Sequence, residues 1–200
     1  KKFISPGVVN QVLQPLIGDY SVIMLDGKPH KRRRQLLIPP FHGERMRAYG
    51  QLICNIAEKV FQTLPINQTF VTRSVMQEIS MQVILQAVFG LHEGKRFQEI
   101  KQLMAYLSDT FSSPFSSSFL FFDFLQKDLG AWSPWGKFVR KRAKVDELIY
   151  AEIAERQTKL EPDGVDILSL LMEARYEDGS AMRDKELRDE LMTILFAGHE

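Results

Sequence analysis

Two stretches of the sequence hold side chains whose types and spacing could do chemistry. In HKRRRQLLIPPF, residues 30–41, His30 and Arg34 stand four apart, so on a helix they stack on one face. Leu37, Ile38 and Phe41 continue that face, which places Arg34 on the side expected to be buried. A half-buried guanidinium needs an anion, because leaving it unpaired is costly. One reading is a carboxylate or phosphate held jointly by Arg34 and His30. The other is a solvated basic face in which an internal Glu or Asp answers Arg34. Lys31 and Arg32 can reach solvent, and Arg33 lies on the border. The run is short and no aromatic residues interleave it, which argues against a nucleic-acid partner.

The second stretch is LMTILFAGHE, residues 191–200. Leu187, Leu191, Ile194, Leu195 and Gly198 fall on one helical stripe, so a glycine occupies a position where a core side chain is normally wanted. Glycine inside a helix costs roughly 1 kcal/mol relative to alanine. With Ala197 beside it, Gly198 leaves room for something large and flat to approach the backbone. Alternatively, Gly198 is a residue that ends the helix. His199-Glu200 also matches the first two residues of a His-Glu-x-x-His zinc helix, whose second His would lie beyond residue 200.

Composition narrows the classes. Cys54 is the single cysteine, which excludes an internal disulfide and any multi-cysteine zinc or iron–sulfur site within the chain, and suits a reducing, cytoplasmic setting. Its context, GQLICNIAEK, reads as a small packing residue in a helix. A formal net charge of +1 gives no overall basicity for nucleic acid. No apolar run reaches the roughly 18 residues of a membrane span.

The elements that must position these residues are helices. Asp26-Gly27 reads as a turn and Pro29 as part of a helical first turn, the helix running to Ile38 before Pro39-Pro40. Met46, Tyr49, Ile53, Ile56, Ala57, Val60 and Leu64 form the stripe of the next helix. Thr72 is the expected cap of another, striped by Met76, Ile79, Val83 and Ala87 and stopped by Gly90. Further helices are expected from about Lys95 to Phe111 and from about Lys137 to Lys159. After the turn Pro162-Asp163-Gly164 comes a short helix capped by Asp166, and the last helix starts near Asp184. SVIML, residues 21–25, is the one β-like run. Residues 112–138 collect Phe115, Phe119, Phe121, Phe122, Phe124, Trp132, Trp135 and Phe138 among Ser, Pro and Gly. They read either as a loop pinned to the core or as a mobile lid over an apolar pocket. The expected class is all-α, residues 1–200 forming one partial domain.

Together these segments resemble the first half of a cytochrome P450 monooxygenase of the soluble bacterial type, from helix B′ to the start of helix I. DGKPHKRRRQLLIPPF is similar to the family's helix C, and FAGHE to the Ala-Gly-x-Glu/Asp-Thr start of helix I, the two lying about 160 residues apart. The resemblance implies that His30 and Arg34 hold the propionates of heme b and that Ala197 lies against the porphyrin. It implies that Gly198 opens a groove for O2 and that Glu200 is the acid of a proton-delivering acid–alcohol pair. Ser21, Val22, Ile23, Ile194, Phe115 and Phe119 would line the substrate pocket. The implied activity is O2-dependent hydroxylation of an apolar small molecule at a heme-thiolate iron, fed by a ferredoxin- or flavodoxin-type electron donor. The family's Glu-x-x-Arg pair and cysteine-ligand loop belong downstream of residue 200, so the 200 residues alone are a fragment expected to be inactive. A non-catalytic helical scaffold, binding an apolar ligand or a partner, is the alternative.

Overall fold

The computed structural model describes residues 6–110, 114–130, 132–158 and 165–198. Along these, α-helices α1 (Pro6–Val9), α2 (Gln14–Ile17), α3 (Gly27–Leu37), α4 (Glu44–Phe61) and α5 (Thr72–Phe89) lead into α6 (Lys95–Thr110), α7 (Pro114–Phe121), α8 (Pro134–Thr158), α9 (Ile167–Glu173) and α10 (Asp184–Gly198). No strand occurs among the described residues. One antiparallel bridge, Arg175 to Ala181, closes the turn between α9 and α10.

Helix α5 sits at the centre because it is apolar on two sides. Val75, Ile79 and Val83 meet Ile56 and Val60 of α4, and Met81, Leu85, Val88 and Phe89 join the main core. The stripe expected from Met76, Ile79, Val83 and Ala87 covers mostly the α4 side, and Met76 itself is exposed. The main core adds Ile100, Met104 and Leu107 of α6, Val145, Ile149 and Ile153 of α8, Leu168 and Leu171 of α9, and Leu191, Met192 and Leu195 of α10. Each set recurs at three- and four-residue spacing, which presents one face of each helix to the others.

The ends follow local chemistry. Gly90 terminates α5 in the left-handed conformation at φ 62°. Asp166 caps α9, its carboxylate accepting from the Ser169 amide at 3.0 Å, and Arg156 from α8 pairs with the same carboxylate. Thr72 opens α5, but the cap position is Val71 and no side chain caps it.

Two expectations give way. SVIML forms a 3-10 turn, Val22–Met24, rather than a strand, because Ser21 Oγ accepts from the Ile23 amide at 3.2 Å and curls the chain. Residues 112–138 are not one irregular loop. They supply α7, a 3-10 turn at Asp123–Leu125 and the first turns of α8, where Trp135 and Phe138 are buried.

Candidate functional site around helices α3 and α10

The helix α3 forms where expected, but its buried stripe is Arg33, Leu36 and Pro40, not Arg34, Leu37 and Ile38. Arg33 is 4% exposed, whereas Arg34 is exposed and His30 half-buried. The correction has a specific cause. The α10 face opposite carries Glu186 and Glu190, one turn apart, and the guanidinium of Arg33 is drawn into the gap. Its Nη2 donates to Glu186 Oε1 at 2.6 Å and its Nη1 to Glu190 Oε1 at 2.8 Å. Nη1 also donates to the Tyr20 carbonyl at 2.7 Å and Nε to Tyr176 Oη at 2.8 Å. Arg33 thus takes the internal carboxylate that the sequence had reserved for Arg34, and the rotation follows from satisfying a buried fork donor bidentately.

The electrostatics of the cluster reflect this burial. Desolvation alone would lower the Arg33 guanidinium, but Glu190 and Tyr176 more than offset it and its pKa rises. Burial pushes the Glu190 carboxyl up to about 7, against the partial compensation of Arg33. Its second oxygen, Oε2, is buried without a hydrogen bond. Glu186 is also desolvated, yet it accepts from the Arg183 amide and faces two guanidinia, so its pKa falls.

The loop before α3 is fastened to the same helix. Ser21 Oγ and Thr193 Oγ1 lie 2.7 Å apart in a buried hydrogen bond, and the Tyr20 amide donates to Asp189 Oδ2 at 2.8 Å. Gly18 makes this possible: at φ 88°, any Cβ would collide with the Asp189 carboxylate. Arg188, 2% exposed, pairs with Asp146 of α8 and Asp189. The first half of α10 is therefore buried nearly all round, polar residues included.

The predicted site residues fall as follows. Ser21 is fully buried against Thr193, while Val22 and Ile23 are half-buried beside it. Glu190, Thr193 and Ala197 recur at intervals of three and four, so Ala197 prolongs the stripe that meets Arg33 and Ser21, and it is exposed. Gly198 is helical, not a left-handed terminator. It faces α5, where an added Cβ would stand 2.5 Å from Ile84 Cδ1. Ile194 and Phe119 are half-buried and pack against the main core. Phe115 lies on α7 and its side chain is outside what is described; Glu200, with His199, lies outside the described residues.

The structure thus unites the segment 20–23, α3 and α10, which the sequence had joined only by resemblance. Phe119 reaches the segment 20–23 only by way of an intermediate: α7 packs on the 3-10 turns Asn10–Leu13 and Asp123–Leu125, and Asn10 Nδ2 donates to the Ile23 carbonyl at 3.0 Å. The residues that sequence reasoning passed over are Arg33, Glu186 and Glu190. A signal existed, two acids one turn apart on a helix and a triple arginine on another, but only the fold shows that they meet.

The side chains of His30 and Arg34 have no hydrogen-bond or ion-pair partner among the described residues, and Ile38 and Phe41, on the same face, are 40% and 41% exposed. A guanidinium and an imidazole beside exposed apolar side chains can meet an anion. Cys54 lies on α4, within Glu44–Phe61, and is exposed, so it is not the packing residue its context suggested: the buried stripe of that helix runs through Ile56 and Val60.

The described residues are of the all-α class, with a buried arginine clamping the basic helix α3 to α10. Comparison narrows it further. The profile of the family Cytochrome P450 matches residues 5–200, and the chain belongs to that family. Cytochrome P450 138 of Mycobacterium tuberculosis is 36% identical over 195 residues, which are 97% of this chain and 43% of the relative. Cytochrome P450 135B1 of the same organism is 33% identical over 197 residues, 97% of this chain and 40% of the relative. The chain spans about two fifths of the length of these curated relatives. Among solved structures, the retinoic acid-bound cyanobacterial CYP120A1 superposes with a TM-score of 0.76 at 20% identity, over 94% of this chain and 40% of that one. The cytochrome P450DA heme domain gives 0.68 at 21% identity, over 95% and 41%.

Proposed function

We propose that this chain is the part of a heme-thiolate monooxygenase that anchors the heme propionates and forms one wall of the substrate and O2 pocket. The observation that carries the reading is the contrast between two neighbouring arginines. Arg33 is buried and makes four hydrogen bonds inside the protein, while the Arg34 side chain, beside His30, is exposed and has no partner among the described residues. A cation left unanswered by its own protein is available to a ligand's carboxylate, and an Arg–His pair four residues apart can meet two such groups.

When bound with its thiolate ligand, the heme supplies the O2 chemistry of the family, hydroxylation of an unactivated C–H bond. The chain's own residues do the rest. Arg34 and His30 would bind and orient the propionates, and Ala197 would lie against the porphyrin. Val22, Ile23 and Ile194 exclude water and favour an apolar small-molecule substrate, and the aromatics around α7 serve as its lid. Glu200 moves protons toward the reacting oxygen. Gly198 would open a groove for O2, and its missing side chain also lets α10 approach Ile84. An electron-donor protein of ferredoxin or flavodoxin type completes the reaction in the cytoplasm. No described helix is long and apolar enough to cross a membrane.

The test uses the full-length protein. Arg34→Ala should reduce bound heme per polypeptide and quicken heme release, with the far-UV circular dichroism unchanged. Wild-type heme content and release in that variant would refute the propionate role. A full-length protein that takes up no heme would favour a helical scaffold.

A further inference from the structure

The role of Arg33 goes beyond pairing two acids. Its guanidinium is shared by the Tyr20 carbonyl, Tyr176 of the turn after α9, and Glu186 and Glu190 of α10. Four bonds of 2.6–2.8 Å on one side chain tie three separate segments to α3. The α3 backbone packs mainly on the 3-10 turns at its two ends, Val22–Met24 and Pro39–Phe41, so this side chain carries much of the tie to α10. Neighbouring helical residues differ by about 100° in direction. Locking Arg33 onto α10 therefore also fixes where Arg34 points, and His30 with it.

We infer that Arg33 is a positioning residue: it holds α3 at a set spacing and rotation against α10, and thereby presents His30 and Arg34 to a ligand that also meets Ala197. This rests on the heme reading above. Lysine at this position keeps the charge but gathers its three donors on one nitrogen in place of a planar fork, so it cannot reach all four acceptors where Nε, Nη1 and Nη2 now meet them. Supporting groups of this kind typically change ligand or metal retention by about tenfold or more.

The experiment measures heme release and the resting absorption spectrum of the full-length heme protein carrying Arg33→Lys. Arg156→Lys serves as a matched control, since Arg156 bonds Glu152, Asp166, Ser169 and the Phe89 carbonyl in a comparable network away from α3. Arg33→Lys should release heme about tenfold faster and shift the spin-state mixture, while Arg156→Lys should lower the melting temperature and leave both unchanged. Wild-type release and spectrum in a folded Arg33→Lys protein overturn the inference. Equal acceleration by Arg156→Lys overturns it too, because the effect would then be general destabilisation. Where Arg33→Lys does not fold, Tyr176→Phe, which removes only the contact to Nε, should speed release about threefold, and an unchanged rate is refuting. A wild-type protein without heme fails at the earlier reading instead.

Discussion

Replacing Glu190 by glutamine probes the buried cluster most directly. The carboxyl stands at about 7 in the folded chain against an ordinary 4.5, raised first by burial. A raised carboxyl pKa means that the folded state prefers the protonated form. The stability it confers is fully present below about pH 4.5 and is lost as pH rises through about 7. The difference, about 2.5 units, corresponds to about 3 kcal/mol over the whole range, and about 2 kcal/mol of it falls between pH 5.5 and 8. Glutamine keeps the shape and an oxygen for Arg33, but it cannot ionise. Urea unfolding of this chain and of Glu190→Gln at several pH values isolates the contribution, since all other titrating groups are common to both. The stability of Glu190→Gln relative to wild type should rise by about 2 kcal/mol from pH 5.5 to 8. Parallel profiles would refute the assignment of burial as the dominant influence on Glu190. A relative stability that falls with pH would show that pairing with Arg33 outweighs burial.

The remaining expectations concern packing and caps. Gly198→Ala should destabilise the chain by about 1 kcal/mol, because overpacking against Ile84 exceeds the helix-propensity gain. Adding Ile84→Val removes Cδ1, 2.5 Å from the new Cβ, but keeps Cγ1 at 2.8 Å, so it should recover only part of the loss in chemical denaturation. Gly18→Ala combines a left-handed φ of 88° with a collision at Asp189, and should cost about 2 kcal/mol or more and lower the thermal midpoint. Asp166→Ala removes the α9 cap and leaves the Arg156 guanidinium one carboxylate short, so a loss of about 3 kcal/mol is expected in the same assay.

The helices and several of their ends were legible because their causes are local. Apolar residues at three- and four-residue spacing, Gly90 in the left-handed conformation and the Asp166 cap act within a few residues of themselves. The all-α class followed from the same kind of signal. The rotation of α3 did not. Residues 30–41 offer two stripes, one through Arg34 with Leu37 and Ile38, the other through Arg33 with Leu36 and Pro40, and the first is the more apolar. Glu186 and Glu190, more than 150 residues away in sequence, decide in favour of the second. Likewise, the reason for Gly198 became visible only when Ile84 of α5 was placed against it. The chain by itself set which segments are helical and which residues could meet an anion. Which arginine stays inside, and which faces outward, was decided by tertiary structure, because a buried charge goes where partners from other elements can answer it.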